Sequence, residues 1–427
     1  MSGRHTTGTS PMRSHSLWHQ PDFLRLWSGE SISLLGSQVT LLALPLTAIL
    51  TLHASPAQMA LLAAAGSVPT MIFGLPAGVW VDRIRRRPLL IATNLGTAVV
   101  LATIPLAALF GILTLVQLFI VAFLARTLRT FFGAAYQTLL PSLVDREQLI
   151  EGNSKLEVSR SVAQIAGPSL TGILVQLVTA PVTITADAVS FVISATTLLR
   201  IQTPEEVIPR SESSIGRDIR EGITFVLHAP ILRDVMGAVS VANLFLGALV
   251  AEEILFMSRQ LHLTPGIIGL VLAVMGPSGL VGALLASRVS RHLGTGRAII
   301  AGGILYGIGE LCLPLASGSE IRTVIIVGLG QVLMGLGSPS YFINFVSLTQ
   351  AVTPDRLLGR VDGTQSVVMS GTVSIGALVG GFLGQTFGLR PLLVGVGLGV
   401  VLAFAALLLS PVFGLHEPPP PDVPPPV

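Results

Sequence analysis

Residues 78–88 of the chain read GVWVDRIRRRP and contain its densest run of charge. Four arginines and one aspartate occupy the six positions from Asp82 to Arg87, although only 11% of all residues are charged. The next charged residue is Arg126, so the run borders a long apolar stretch. Because a helix needs about 20 apolar residues to cross the hydrocarbon of a bilayer, this border predicts a loop between two membrane spans.

The composition of the whole chain supports this interpretation. Of its 427 residues, 51% are hydrophobic, and the mean hydropathy is +0.77. Soluble domains usually carry about 25% charged residues, so a soluble protein of this composition could not cover its surface. The hydropathy pattern predicts an all-α membrane protein. The twelve predicted spans lie at 26–50, 58–80, 89–110, 115–137, 157–178, 181–200, 235–256, 265–287, 298–316, 323–345, 366–387 and 392–414.

The basic residues divide unequally between the two sides of this topology. With the N-terminus inside, the outer loops hold only Arg259, Arg322 and Arg390. The inner segments hold Arg4, Arg13, Arg25, Arg83, Arg85, Arg86, Arg87, Arg146, Lys155, Arg160, Arg200, Arg210, Arg217, Arg220, Arg233, Arg288, Arg291, Arg297, Arg356 and Arg360. Cytoplasmic loops carry an excess of lysine and arginine. The distribution therefore predicts that both termini are cytoplasmic and that the number of spans is even.

The two halves of the chain repeat each other. GPSLTGIL at 167–174 resembles GALVGGFL at 376–383, an offset of 209 residues. Two parallel six-helix halves, related by an axis along the membrane normal, are a known transporter architecture. We expect a cytoplasmic N-terminal tail at 1–25, a first six-helix bundle at 26–200, a cytoplasmic linker at 201–234, a second six-helix bundle at 235–414 and a proline-rich cytoplasmic tail at 415–427.

The linker has a pattern of its own. Ile215, Ile219, Ile223 and Val226 recur at helical spacing, which predicts an amphipathic helix on the inner membrane surface. A solvated linker without membrane contact is the alternative. The tail sequence HEPPPPDVPPPV is typical of a disordered segment in polyproline geometry.

The opening stretch resembles the loop signature of the major facilitator superfamily, G-x-x-x-[DE]-[RK]-x-G-x-[RK]-[RK]. Gly78, Asp82, Arg83 and Arg87 stand in register with it, whereas Arg85 replaces the second glycine and a proline replaces the last basic residue. The segments ADAVSF, REGITFVLHAPILRDV and RLLGRV resemble the branch that contains macrolide-efflux proteins and the enterobactin exporter. The resemblance implies the major facilitator fold, twelve transmembrane helices in two six-helix bundles, in a bacterial plasma membrane.

The same resemblance implies a gating role for the loop. Gly78 would permit close helix packing, and Asp82 would interact with the N-terminal end of the eleventh helix, where the helix dipole is positive. Breaking and remaking this contact would gate the cytoplasmic side. The alternative is that the arginines only hold the loop inside, which leaves Asp82 and Gly78 unexplained.

Two further motifs resemble family patterns. Arg129 and Gly133 match R-x-x-x-G of the fourth span, and an arginine within a span should face the bundle interior and find a partner. The alternative is an arginine that extends to the inner surface. Gly167, Pro168 and Gly172 resemble the antiporter motif G-P-x-x-G-G of the fifth span. Close helix packing through small residues is the alternative explanation for this motif.

Acidic residues within spans are candidates for proton coupling, because burial makes their charged form costly. These candidates are Glu30, Asp187 and the adjacent pair Glu252 and Glu253, with Glu310 ranked last. Each has a structural alternative. Glu30 lies near the inner end of its helix, where it could simply contact water. For Asp187, we weigh a role in holding helices together equally with a role in proton coupling. The polar residues Gln38 and Asn243 complete the set of coupling or substrate candidates.

Together these features predict a secondary transporter, one that exports a hydrophobic small molecule such as a drug, macrolide or siderophore in exchange for protons. We expect a monomer in the lipid bilayer with a small-molecule substrate, no cofactor, no metal, no catalytic residues and no nucleic-acid partner. The chain lacks the phosphate-binding motif G-x-x-x-x-G-K-[ST], so direct ATP-driven transport is not expected. Uptake or facilitated diffusion of a polar nutrient, and a non-transporting membrane receptor or assembly partner, are the alternatives.

Overall fold

The computed structural model describes residues 17–81, 84–144, 148–203 and 215–417. Long helices dominate these ranges, and short turns connect them. The α-helices are α1 (Pro21–Leu46), α2 (Pro56–Val81), α3 (Arg86–Leu109), α4 (Leu115–Leu143), α5 (Leu149–Val178), α6 (Ala180–Leu199), α7 (Ile215–His228), α8 (Pro230–Arg259), α9 (Pro265–Ala273), α10 (Met275–Leu293), α11 (Thr295–Leu315), α12 (Glu320–Val352), α13 (Asp355–Phe387) and α14 (Leu389–Ala405).

Twelve segments of the described chain are long and apolar enough to cross a membrane. The first continues α1 through a π-helical turn to Thr51, and the eighth combines α9 and α10, which meet at Val274. The predicted all-α membrane fold with twelve spans is therefore confirmed. Because consecutive spans run in opposite directions, α1 begins and α14 ends on the same side of the membrane. We call this side the terminal face and the opposite side the far face.

The spans form two six-helix bundles, α1–α6 and α8–α14, as the fold prediction requires. Small residues let the helices of each bundle approach closely. A methyl group on Gly36 of α1 would overlap the side chains of Asp187 and Ser190 on α6. In the second bundle, a methyl group on Gly376 of α13 would overlap the backbone of Leu244 on α8. Such contacts replace the hydrophobic driving force that lipid cannot supply between helices.

Several helices extend beyond the ends that hydropathy predicts. Helix α4 ends at Leu143 rather than near residue 137, and α5 begins at Leu149 rather than near residue 157. Helix α12 ends at Val352 rather than near residue 345, and α13 begins at Asp355 rather than near residue 366. A helix can continue past the hydrocarbon into water, where hydropathy no longer marks its end. The boundary between the third and fourth spans is a turn at Gly111, whose φ of +69° favours glycine.

The two bundles contact each other closely in the half of the membrane next to the far face. Helix α5 meets α9 there: a methyl group on Gly172 would overlap the carbonyl oxygen of Pro265 and lie 3.1 Å from Cα of Gly269. Helix α2 meets α13 near mid-depth, where the hydroxyl of Ser374 donates to Oγ of Ser67 at 2.8 Å. These contacts close the interface between the bundles toward the far face.

Each end of the linker is attached to its own bundle. One carboxylate oxygen of Asp22 on α1 accepts hydrogen bonds from the backbone N–H groups of Gln202 and Thr203, at 3.0 and 2.9 Å. At the other end, Glu221 of α7 forms an ion pair with Arg360 of α13. The linker therefore leaves the first bundle and joins the second at defined points.

The glycine contact between α5 and α9 predicts the effect of adding one methyl group. Overpacking at such a contact costs about 1–3 kcal/mol, so Gly172→Ala should disfavour the arrangement closed to the far face about tenfold or more. We expect Ser374→Cys, in a Cys312→Ser background, to react correspondingly faster with a membrane-impermeant maleimide added at the far face. Gly66→Ala is the matched control, because a methyl group there meets no atom within 4 Å. Equal labelling of the two glycine variants would contradict this closure.

Candidate functional site

An ion pair in the interior of the first bundle joins α1 to α4. Nη2 of Arg129 lies 3.5 Å from Oε1 of Glu30, although the two residues are 99 positions apart in sequence. Glu30 is only 6% exposed, so it is not a surface residue in contact with bulk water. The separation is long for a hydrogen bond, and the attraction is therefore mainly that of opposite charges in a medium of low dielectric constant.

The pair leaves polar atoms without a protein partner. Oε2 of Glu30, Nη1 of Arg129 and the hydroxyl of Tyr136 are all buried and form no hydrogen bond with the described residues. The Arg129 guanidinium lies 5.3 Å from the ring centre of Phe132, which in turn stacks on Tyr136 at 5.7 Å. The site thus combines a carboxylate oxygen that can bind a proton with a guanidinium and a phenol that can donate hydrogen bonds to water or a substrate group.

Asp187 is held between α1 and α6 and has its own partners. One oxygen accepts a hydrogen bond from Thr40, and the other lies 3.2 Å from Oγ of Ser190, whose single proton also reaches the backbone carbonyl oxygen of Asp187 at 2.8 Å. Both carboxylate oxygens therefore have a hydroxyl neighbour, and Thr40 is the one that joins the carboxyl to another helix. Gln38, also on α1, packs instead against α5, where a methyl group on Gly167 would overlap its side chain.

The structure describes only some residues of the loop signature at 78–88. Gly78 lies in α2, while Asp82 and Arg83 lie outside the described residues. Arg87, in the first turn of α3, donates from Nε to the carbonyl oxygen of Leu198 at 3.0 Å and from Nη2 to that of Leu199. The last arginine of the signature thus binds the C-terminal end of α6, where helix carbonyls lack partners and carry partial negative charge.

The antiporter-like motif lies on α5 at the contact with the second bundle. A methyl group on Gly269 of α9 would overlap the carbonyl oxygen of Pro168 and lie 3.0 Å from Cα of Gly172. Gly167, one residue before the proline, faces Gln38 within the first bundle. Two of the three motif residues thus contribute to the closure between bundles, and the third packs within its own.

The adjacent acids Glu252 and Glu253 of the second bundle have different surroundings. Glu253 accepts a hydrogen bond at 2.9 Å from Nε2 of Gln331 on α12. Its neighbour Glu252 is fully buried, and neither of its oxygens forms a hydrogen bond with a described residue. Asn243, two turns earlier on α8, is partly buried.

Hydroxyl partners are the functional residues that sequence reasoning missed. Thr40 binds Asp187, and Oγ1 of Thr70 on α2 accepts a hydrogen bond at 2.8 Å from Nε of Arg126 on α4. Threonines are common in apolar helices, where they usually bind the backbone one turn back, so composition does not distinguish these two. Only the rotation of α1 and α2 about their axes shows that they face a charge.

Within the described ranges, no group of three or more histidine, cysteine, aspartate or glutamate residues is arranged to hold a metal ion.

Comparison with known proteins places this geometry in a family. A family model described as Major Facilitator Superfamily matches residues 26–361 and 248–427. The multidrug efflux pump Tap of Mycolicibacterium fortuitum is 26% identical over 390 residues, covering 88% of this chain and 92% of the pump. Macrolide efflux protein A of Streptococcus pyogenes is 22% identical over 385 residues, covering 89% of this chain and 93% of that protein.

Solved structures show the same fold. A mutant of the nucleoside transporter NupG superposes with a TM-score of 0.78 at 10% identity, covering 91% of this chain and 99% of the transporter. A bacterial homologue of the iron transporter ferroportin, in an inward-facing state, gives a TM-score of 0.72 at 18% identity, covering 92% and 97% of the two chains. At these identities, the likeness concerns the fold alone.

The environment of Asp187 predicts that it stabilises the first bundle. Asp187→Ala removes both acceptors and leaves the hydroxyl of Thr40 without its partner, at a cost of about 1–3 kcal/mol. Asp187→Asn keeps one acceptor oxygen and should cost less. We expect the midpoint of thermal unfolding of the purified protein in detergent to fall by several degrees in the alanine variant. Asp362→Ala, at an exposed acid on α13, is the control. If the two alanine variants unfold together, Asp187 does not hold the helices.

Proposed function

This chain belongs to the Major Facilitator Superfamily, and we propose that it exports a hydrophobic small molecule, such as a drug, macrolide or siderophore-like compound, in exchange for protons. Relatives named for multidrug and macrolide efflux, aligned along most of the chain, support export. Buried ion pairs, which would suit a charged or strongly polar nutrient, are few among the described residues, and this favours a hydrophobic substrate.

The observation that carries the proposal is the incomplete ion pair between Glu30 and Arg129. A buried carboxylate with one ion pair, to Arg129, and an oxygen without a hydrogen bond among the described residues can accept a proton without breaking a network of hydrogen bonds. Protonation would remove the attraction to Arg129 and release the guanidinium toward other acceptors. The charge of the site, and with it the preference of the bundle for one conformation, would thus depend on proton binding.

Alternating access would connect this site to each side in turn as one bundle rocks against the other. We assign the terminal face to the cytoplasm from the distribution of arginines, so the far face would be external and the membrane a bacterial plasma membrane. The closed far half then corresponds to the state in which substrate enters from the cytoplasm or the inner leaflet. One chain contains both bundles, so we propose that a monomer transports.

The remaining motif residues have roles in this cycle. Gly78, Asp82 and Arg83 would close the cytoplasmic side when the far half opens, while Arg87 holds the loop against α6. Pro168 and Gly172 would form the contact that closes the far half. Asn243 and Glu252, on α8, remain candidates for contact with substrate or protons.

A dye-export assay tests the proposal. Cells that express the chain should accumulate less of a fluorescent hydrophobic dye than cells without it, and a protonophore should abolish the difference. In Glu30→Gln, we expect export to fall to the level of cells without the transporter, because the amide cannot bind and release the proton. Asp187→Asn is the matched control, because it alters a second buried acid of the same bundle whose oxygens are already occupied, and it should retain most export.

Two results would overturn the proposal. Unchanged export in Glu30→Gln would remove Glu30 from proton coupling. Protonophore-insensitive accumulation across neutral and cationic dyes, with both variants present in the membrane at equal amounts, would contradict proton-driven export.

A further inference from the structure

The second bundle contains two carboxyls that the proposed cycle does not use together. Glu310 of α11 is only 1% exposed, and the phenol of Tyr306, one turn earlier on the same helix, is the polar group that interacts with its carboxyl among the described residues. Glu253 of α8 has one partner, the side-chain amide of Gln331 on α12. The helices that carry Glu253 and Glu310 both contact α12.

Close contact between α11 and α12 brings these groups together. A methyl group on Gly309 would lie 2.7 Å from the carbonyl oxygen of Gly330, and one on Gly330 would lie 2.6 Å from that of Gly309. The two backbones therefore touch at the turns that carry Glu310 and Gln331. The turn that carries Glu310 therefore lies against the turn that carries Gln331, whose amide reaches Glu253 on α8.

The surroundings of the two carboxyls cannot neutralise two negative charges. Neither forms an ion pair with an arginine or lysine of the described chain. The titratable groups that face them are the phenols of Tyr306 on α11 and Tyr341 on α12, which carry no positive charge. Arg390 of α14, at the far face, donates instead to the carbonyl oxygen of Ala316 and lies over an aromatic ring.

Two unpaired carboxylates in an apolar interior would repel each other and lose their hydration, so at least one must carry a proton or contact a cation. A metal ion is not favoured, because no described group of three or more candidate ligands surrounds the site. A proton requires no further ligand and suits a site with two carboxyls and one amide.

We propose that Glu253 and Glu310 form a proton-binding pair in the second bundle, separate from Glu30 and Arg129 in the first. The pair binds one proton between two carboxyls, and Gln331 stabilises whichever state leaves Glu253 ionised. Release would transfer that proton from the carboxylic acid to water on the side of Glu253, the more exposed of the two carboxyls. The use of this proton in export depends on the function proposed above, but its binding does not.

Infrared spectroscopy of the purified full-length chain tests the pair directly. The carbonyl stretch of protonated carboxylic acids is followed during a pH titration, and the difference between the unmodified protein and the double variant Glu253→Gln/Glu310→Gln isolates the two groups. Because interacting carboxyls titrate as a pair, we expect two separated steps in the unmodified protein and one step in each single variant, at a pH that matches neither original step. Glu320→Gln, at an exposed glutamate on α12, should preserve both steps.

Three results would contradict the proposed pair of Glu253 and Glu310. If each single variant leaves the other step at its original pH, the carboxyls are independent and the pair does not exist. If the double variant loses no band, neither group binds a proton. Gln331→Leu gives a second test in a protein with both acids: loss of the amide donor should move the Glu253 carbonyl band to higher wavenumber, and an unmoved band counts against the arrangement. Thermal unfolding of each variant identifies those that fail to fold, and Gln331→Leu then carries the test.

This experiment also separates the pair from the proposed function. Two coupled steps in the spectrum together with no dye export would leave the pair in place and refute export. Dye export together with carboxyls that titrate independently would support export and refute the pair.

Discussion

An ionised side chain inside a bilayer must find its hydrogen bonds or its opposite charge within the protein, and this requirement organises the interior of both bundles. Asp187 meets it through the hydroxyls of Thr40 and Ser190, whereas Glu30 meets it with an ion pair to Arg129. Glu310 has neither an ion pair nor a second helix as its partner among the described residues, and interacts with the phenol of Tyr306 on its own helix. The number of hydrogen-bond and ion-pair partners thus separates two kinds of buried acid. Acids with enough partners join helices, and acids with too few must change their charge when their surroundings change.

Small residues make these polar contacts possible. Asp187 reaches α1 beside Gly36, and Glu310 lies next to Gly309, where α11 and α12 touch. A larger residue at either glycine would separate the helices and move the acid away from its neighbours. Packing and electrostatics are therefore not independent here, since the positions that allow close approach also set the distances between charges.

The sequence predicted the fold more completely than the site, for physical reasons. Twelve apolar segments are a local property, so hydropathy found them, although it missed how far helices such as α5, α12 and α13 continue beyond the hydrocarbon. Charges within spans identified Glu30 and Arg129 singly, because each is costly there. Their pairing depends on how α1 and α4 rotate and cross, which no local pattern encodes. Glu310 likewise becomes a candidate only through the packing of α11 against α12, which carries Gln331, and no local pattern encodes that packing. The signature residues Asp82 and Arg83 lie outside the described residues, so their role stays a prediction.

The attachment of each linker end to its own bundle limits how far the two halves can separate. Asp22 fixes the chain at Thr203 beside the first bundle, and Glu221 fixes α7 beside α13 of the second. In sequence, the anchors are joined by residues 204–214 and the first turns of α7, and a chain of roughly a dozen residues reaches at most about 40 Å. The linker is thus a tether of finite length, and its two anchors convert any wider parting of the bundles into tension on Asp22 and on the ion pair of Glu221.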